Sequence, residues 1–111
     1  MLYALIDTSG SSLLIAIADG HGRILSTGIH EHTPDNASRL SELFAECLGD
    51  AGAEQGDITH LGVGIGPGSF TGTRTGVAFV NGIAVALSLP IAELSSLRAA
   101  AAVAILETPH V

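Results

Sequence analysis

The first thirty residues alternate between short apolar runs and polar turns. Leu2 to Ile6 is a mostly apolar run that stops at Asp7-Thr8-Ser9-Gly10. Ser12 to Ala18 is a second run, which stops at Asp19-Gly20-His21-Gly22, and Arg23 to Ile29 then alternates loosely. Short apolar runs bounded by turn residues are typical of strands. Two tight connections between three strands predict an antiparallel meander.

After His32 the spacing of the apolar residues becomes helical. The segment Thr33-Pro34-Asp35-Asn36 offers N-cap candidates and a proline suited to a first helical turn. Apolar residues then recur at spacings of three and four positions, which places them on one face of a helix. They are Leu40, Leu43, Phe44, Cys47 and Leu48. Gly49 or Gly52 can end this first helix.

The rest of the chain alternates strand and helix. Ile58 to Ile65 predicts a fourth strand, a turn at 66–69 leads into a second helix that runs to about Leu87, and 89–92 predicts a short strand. Ser95 or Ser96 caps a third, alanine-rich helix that ends before Thr108-Pro109. The predicted order is β-β-β-α-β-α-β-α, which indicates an α/β domain with a mixed sheet and helices packed on it.

The second helix is apolar on all sides. Between Gly76 and Leu87 its only strongly polar residue is Asn81. A helix that is apolar all round is expected to be buried all round. One side meets the sheet, and the other side meets either another helix of this chain or a partner chain. The pattern leaves these two alternatives open.

Composition and charge narrow the class of protein. A chain of 111 residues predicts one domain, 1–111, and 47% hydrophobic with 4% aromatic residues indicates an aliphatic core. Eleven acids, four arginines and no lysine leave a formal net charge of −7, which excludes binding of nucleic-acid phosphates by this chain alone.

The single cysteine, Cys47, fits a reducing compartment. Without a basic leader or an apolar run of membrane length, a cytoplasmic protein with no membrane partner is expected.

Two glycine- and hydroxyl-rich segments could hold a phosphate. The loop between the fourth strand and the second helix contains Gly66, Gly68 and Ser69, and the turn after the first strand contains Asp7, Thr8 and Ser9. Backbone N–H groups of such loops, together with a helix N-terminus, can bind an anion. The loop has neither the lysine of a phosphate-binding P-loop nor the spacing of the dinucleotide fingerprint. A purely structural role, as a tight strand–helix turn and an Asx-type turn, is favoured for both.

The histidines do not indicate a metal site. In the segment His30-Glu31-His32 the two imidazoles share a strand face, but no third ligand accompanies them. No metal is therefore predicted.

Two of these segments together resemble a known family. The first segment opens the three-stranded meander and reads Leu5-Ile6-Asp7-Thr8-Ser9. The second segment reads Gly64-Ile65-Gly66-Pro67-Gly68-Ser69-Phe70-Thr71-Gly72-Thr73-Arg74-Thr75-Gly76. The second stretch is nearly a signature of the bacterial TsaB (YeaZ) family, and the likeness runs from Leu2 to about Ala104. The resemblance implies an actin-like (ASKHA, ribonuclease H-like) fold. It also implies a part in making threonylcarbamoyladenosine in tRNA.

The resemblance also implies a role without catalysis. TsaB is the non-catalytic partner of the transferase TsaD, so this chain is expected to be a scaffold and not an enzyme, without a required cofactor. TsaD's histidine pair for a metal has no counterpart here, and no protease constellation is present. The family chain is about twice as long and has two such domains, so the second domain is expected to be missing. The start of the first helix, His32-Thr33-Pro34-Asp35-Asn36, departs from the family's shorter pattern.

The partners named by the resemblance are a TsaD-like transferase and a TsaE-like ATPase. Family members contact TsaE through the second domain, so the resemblance does not imply that this chain alone keeps that contact. The chain alone is expected to form a homodimer, and tRNA is expected to be contacted only indirectly. The interface is predicted on the first and second helices, with Leu40, Leu43, Phe44, Val77, Val80, Asn81, Ala84 and Val85 as its residues. The alternative is half of an actin-like phosphotransferase or ATPase, which would bind ATP or ADP through Asp7 and the 66–68 loop.

Overall fold

The five strands form a single mixed sheet. The computed structural model describes residues 1–66 and 70–94, with the side chains of 70–72 and 94 excepted. Its strands are β1 (Leu2–Asp7), β2 (Ser12–Asp19), β3 (Ile24–Glu31), β4 (His60–Gly64) and β5 (Ile91–Leu94). Its helices are α1 (Asn36–Asp50) and α2 (Phe70–Leu87), and a short 3-10 turn covers Gln55–Asp57.

The order of strands in the sheet is β3-β2-β1-β4-β5. The pairs β1–β2 and β2–β3 are antiparallel, whereas β4 runs parallel to β1, and β5 runs parallel to β4. The predicted meander and mixed sheet are therefore confirmed, as is the order of the first seven predicted elements. The predicted third helix lies outside the described residues.

Both helices pack on the same face of the sheet. α1 lies over β2 and β3, while α2 lies over β1, β4 and β5, and the two helices contact each other. The inward residues alternate along the strands, as the two-residue period of a strand requires. The core consists of Leu2, Ala4, Ile6, Leu13, Ile15, Ile17, Leu40, Phe44, Cys47, Leu48, Ile58, Leu61, Val63, Val80, Ile83 and Ala84.

α1 approaches β3 closely because β3 has a glycine at the contact. A Cβ atom on Gly28 would lie 2.7 Å from the Cys47 sulfur and 2.8 Å from Leu43 Cδ1. Two residues before Gly28 on β3, the Ser26 hydroxyl donates a hydrogen bond to the Cys47 carbonyl oxygen, 2.6 Å away. Burial raises the pKa of the Cys47 thiol, so this cysteine is a neutral packing residue, as its place on the apolar face predicts.

The bounds of β4 and β5 differ from those predicted, for local reasons. β4 begins at His60 because the 3-10 turn uses 55–57 and sends the Ile58 side chain into the core. β5 begins after Pro90, which has no N–H for the ladder. Before it, Ser88 takes a positive φ of 56°, which turns the chain back toward the sheet at the end of α2.

Candidate functional site

The turn that follows β1 lies at the carboxyl edge of the parallel pair β1–β4. Asp7, the last residue of β1, is the register partner of Gly64, the last residue of β4. The Asp7 carboxyl group lies directly against Gly64, where a Cβ atom would collide with it. This edge of a sheet is where α/β proteins commonly bind ligands, so the contents of the turn decide what it can do.

The Asp7 carboxylate is engaged by its own turn. Its Oδ1 atom accepts a hydrogen bond from the Ser9 backbone N–H at 2.9 Å and another from the Ser9 hydroxyl at 2.6 Å. This is the hydrogen bonding of an Asx turn, the structural alternative favoured by the sequence. The arrangement keeps Ser9 folded back on Asp7, and Ser9 is buried.

Thr8 ties the turn to α2. Its side chain is completely buried, and its Oγ1 atom accepts a hydrogen bond from the backbone N–H of Gly76 at 2.9 Å. A Cβ atom on Gly76 would lie 2.5 Å from that oxygen, so only glycine lets the helix come this close. α2 is therefore held against the end of β1 by a buried side-chain hydrogen bond.

Gly10 ties the same turn to the start of α1. Its carbonyl oxygen lies 2.9 Å from His32 Nε2, and since a carbonyl can only accept, His32 donates from Nε2. His32 Nδ1 then accepts from the amide nitrogen of Asn36 at 2.8 Å. The Asn36 side-chain oxygen in turn accepts from the Thr33 backbone N–H at 2.6 Å. The N-cap residue Asp35 makes no capping hydrogen bond, so Asn36 and His32 fix this end of the helix instead.

The turn 7–10 is thus a common anchor for both helices. One side chain of the turn accepts from α2, and one carbonyl oxygen of the turn accepts from the segment that starts α1. Because two packed helices present a usable outer surface only if their relative position is fixed, this anchor sets the geometry of that surface.

Removing the Thr8 hydroxyl is expected to destabilise the chain. In Thr8→Val the shape is kept, but the buried N–H of Gly76 loses this acceptor, which should lower the free energy of unfolding by about 1–3 kcal/mol. Thr8→Ser retains the hydroxyl and serves as the matched control. Urea unfolding followed by circular dichroism measures both, and equal unfolding free energies for the two variants would show that this hydrogen bond does not support the fold.

The residues predicted to bind a nucleotide differ in how far their side chains are buried. Asp7 is half-buried, whereas the hydroxyls of Thr8 and Ser9 are directed into the chain, and these two side chains are 0% and 1% exposed. Gly66 follows β4 with φ +126°, a conformation that favours glycine. Gly68 and Ser69 lie outside the described residues. The hydrogen bonding favours the structural role for the turn, and nucleotide binding stays a prediction.

The residues of the predicted interface divide into buried and exposed ones. Leu40, Phe44 and Val80 are in the core at 0–3% exposure, and Ala84 belongs to the same cluster. These four side chains pack inside the chain and expose little surface, although Phe44 also lines a groove between the two helices. Leu43 and Val77 are partly buried, while Asn81 and Val85 are exposed. Of the predicted set, Val85 is the large apolar residue that faces outward, at 82% exposure.

The outer surface of the helix pair carries two stripes of small residues that line up at four-residue spacing. On α1 they are Ser41, Ala45 and Gly49; on α2 they are Ala78, Gly82 and Ala86. All six residues are exposed, and a Cβ atom on Gly49 or Gly82 would meet no neighbouring atom within 4 Å. The α2 stripe follows from its apolarity, but the α1 stripe was missed because its residues lie beside the more conspicuous leucine face.

A groove of about 450 Å³ lies between the two helices at the 3-10 turn. Phe44 and Phe79 meet edge to face at its floor, with ring centroids 5.3 Å apart. Its other lining residues are Ser41, Ala45, Leu48, Gly49, Ala53, Glu54, Gln55 and Ile83. Helix pairs with an apolar groove and small outer residues are suited to binding another helix.

Metal chemistry finds no support in the described part of the chain. Across residues 1–66 and 70–94, no three histidine, cysteine, aspartate or glutamate side chains come together as a ligand set. His30 instead contacts the carbonyl oxygen of Glu31, at 2.8 Å from Nδ1. Neither of the two described helices combines the length and the apolarity that crossing a bilayer requires.

The family of the chain follows from comparison with known proteins. A family model described as TsaD: tRNA N6-adenosine threonylcarbamoyltransferase matches residues 30–111, well over half of the sequence. This chain belongs to that family. The match includes both helices, the groove between them and the segment from β4 into α2.

Curated relatives confirm the resemblance to TsaB. Over 67 residues the chain is 37% identical to the tRNA threonylcarbamoyladenosine biosynthesis protein TsaB of Escherichia coli, an alignment that covers 60% of this chain and 27% of that protein. Over 97 residues it is 32% identical to TsaB of Bacillus subtilis, with coverage of 87% and 42%. The chain therefore spans less than half the length of these relatives.

Solved structures confirm the fold. YeaZ from Pseudomonas aeruginosa superposes with a TM-score of 0.76 at 30% identity, covering 85% of this chain and 43% of that one. Thermus thermophilus RuvC, solved in complex with a Holliday junction substrate, superposes with a TM-score of 0.59 at 15% identity, with coverage of 88% and 66%. The RuvC likeness shows the fold alone. The predicted actin-like, ribonuclease H-like α/β fold is confirmed.

Proposed function

We propose that this chain is a non-catalytic partner subunit in the biosynthesis of threonylcarbamoyladenosine in tRNA, and that it binds a TsaD-like transferase through the outer surface of α1 and α2. The observation that carries the proposal is the exposed face of this helix pair. Its inner residues already form the core, yet its outer surface carries two stripes of small residues and the apolar Val85, which is 82% exposed. The names of the matched relatives supply the pathway.

The geometry of that face suits a second pair of helices. Small residues at four-residue spacing on both helices let another helix approach closely, and the groove beside Phe79 can take a larger side chain. Two helix pairs that meet face to face make a four-helix bundle, which hides the outer surfaces of both. The same surface would pair two copies of the chain when no transferase is present.

The absence of catalysis is supported by how the turn 7–10 uses its polar groups. The Asp7 carboxylate is held by Ser9, and the Thr8 hydroxyl is held by Gly76, so these groups serve the fold. A net charge of −7 argues that tRNA is reached through the partner and not by this chain. We accordingly propose a scaffold that acts in the cytoplasm and needs no cofactor of its own.

The proposal is tested by titrating the purified chain into a TsaD-family transferase from the same cell by isothermal calorimetry. A one-to-one complex with a dissociation constant in about the micromolar range or tighter is expected. If no complex forms at the highest soluble concentrations, the partner role is wrong.

A second measurement tests the lack of catalysis. The chain alone should release no phosphate from ATP above the level of a mock purification. Turnover that disappears in Asp7→Ala, while the variant keeps the circular dichroism spectrum of the parent, would instead establish the phosphotransferase alternative.

A further inference from the structure

The negative charge of the chain is concentrated beside the groove. Residues 35–57, which contain α1 and the 3-10 turn, hold six of the eleven carboxylates and one arginine, a net charge of −5 out of −7. The six acids are Asp35, Glu42, Glu46, Asp50, Glu54 and Asp57, and all of them are exposed. The one arginine, Arg39, already pairs with Glu42 at 2.9 Å.

These acids flank the small-residue stripe of α1. Glu42, Glu46 and Asp50 follow one another at four-residue spacing and so form a stripe of their own, next to Ser41, Ala45 and Gly49. Glu54 lines the end of the groove. α2, by contrast, contains a single charged residue, Arg74, and no acid. The partner surface is therefore apolar at its centre and acidic along the α1 side.

We infer that this surface selects a partner that carries lysine or arginine along the matching side of an apolar helix pair, and that it binds such a partner more tightly than a second copy of this chain. The inference rests on the proposed function, because it describes the partner of the same surface. A second copy offers only Arg39 and Arg74 on α1 and α2, while it brings another segment of net charge −5. Like charges brought together at an interface oppose association, whereas opposite charges speed it.

Charges at the rim of an interface act mainly on association and on its dependence on salt. Because the acids are exposed, salt screens them over a Debye length of about 8 Å at physiological ionic strength. Binding of the basic partner should therefore weaken as salt rises. Self-association should strengthen under the same change, since salt screens the repulsion between two copies.

The test compares two double variants with the same change of charge. Glu46→Lys/Asp50→Lys reverses two acids of the α1 stripe, and it should not unfold the helix because lysine near a helix C-terminus is favourable. Glu31→Lys/Glu93→Lys reverses two exposed acids on β3 and β5 and serves as the control. The probe is the TsaD-family transferase, titrated by calorimetry at about 50 mM and about 500 mM NaCl.

The α1 variant should bind the transferase at least about tenfold more weakly than the parent at low salt, and the control should differ by less than about threefold. At high salt the parent and the α1 variant should bind the transferase with nearly equal affinity. The inference is overturned, and the proposed function stands, if two results are found together. The transferase binds the parent equally tightly at low and high salt, and it binds the α1 variant as tightly as the parent.

Sedimentation equilibrium supplies a measurement that needs no transferase. The α1 variant should self-associate more tightly than the parent at low salt, and the control should behave like the parent. If the parent binds no transferase, the proposed function fails, and this measurement alone decides whether the acids select against self-pairing. Equal self-association of the two double variants overturns the inference.

Discussion

Replacing Phe44 by alanine is expected to remove about 3–5 kcal/mol from the free energy of unfolding of the isolated chain. The phenyl ring is buried at 3% exposure, packs edge to face on Phe79 and lies in the core cluster between α1 and the sheet. Truncation leaves a cavity that the surrounding strands cannot fill without moving. Since domains of this size are stable by only about 5–15 kcal/mol, the loss should be visible in urea as a large fall in the midpoint.

Val85→Ala is the matched control for this truncation. It also removes an apolar side chain from a helix, but the side chain is exposed, so the unfolding free energy should change by no more than about 0.5 kcal/mol. If Phe44→Ala does not fold, Phe44→Leu keeps part of the volume and should show a smaller loss. A change below about 1 kcal/mol for Phe44→Ala would show that the ring does not support the core of the isolated chain.

The burial of four of the eight predicted interface residues has a reason that lies in the architecture. α1 has only one apolar stripe, and in a layer of helices on a sheet that stripe must face the sheet. Leu40 and Phe44 therefore belong to the core of the isolated chain. Within this chain α2 is buried only on its inner half, and Ala78, Gly82 and Val85 on its outer half are exposed. Apolarity alone does not tell which side of such a helix meets the sheet.

The strand and helix order could be predicted because each element carries its own period of apolar residues. Asp7, Thr8 and Ser9 could be placed at the end of a strand for the same reason. Their partners could not, because Thr8 meets Gly76 across 68 positions of the chain, and only the parallel register of β1 and β4 brings α2 there. His32 and Asn36 show a local signal, a hydrogen-bonding pair four residues apart at a helix start, but their contact with Gly10 depends on the fold.

Placing a charge at Val85 is expected to abolish binding of the transferase without harming the fold. The side chain is 82% exposed in the isolated chain, so Val85→Glu should change the free energy of unfolding by no more than about 0.5 kcal/mol. In the complex the same charge would be buried without a partner, at a cost of about 3–5 kcal/mol. That cost corresponds to a loss of affinity of about two to four orders of magnitude.

Val85→Arg shows whether Val85→Glu weakens binding because a charge is buried or because the charge is negative. If Val85 lies at the centre of the contact, either charge is buried on binding, so the glutamate and arginine variants should both lose the transferase while Val85→Ala keeps most of the affinity. Ala84→Arg is unsuitable here, because Ala84 belongs to the chain's own core and the change would alter folding as well as binding. Calorimetry measures the affinity, and circular dichroism confirms folding. If only one sign of charge weakens binding, Val85 lies at the rim and the apolar centre of the interface is elsewhere on the helix pair; if neither does, α2 is not the surface that the transferase contacts.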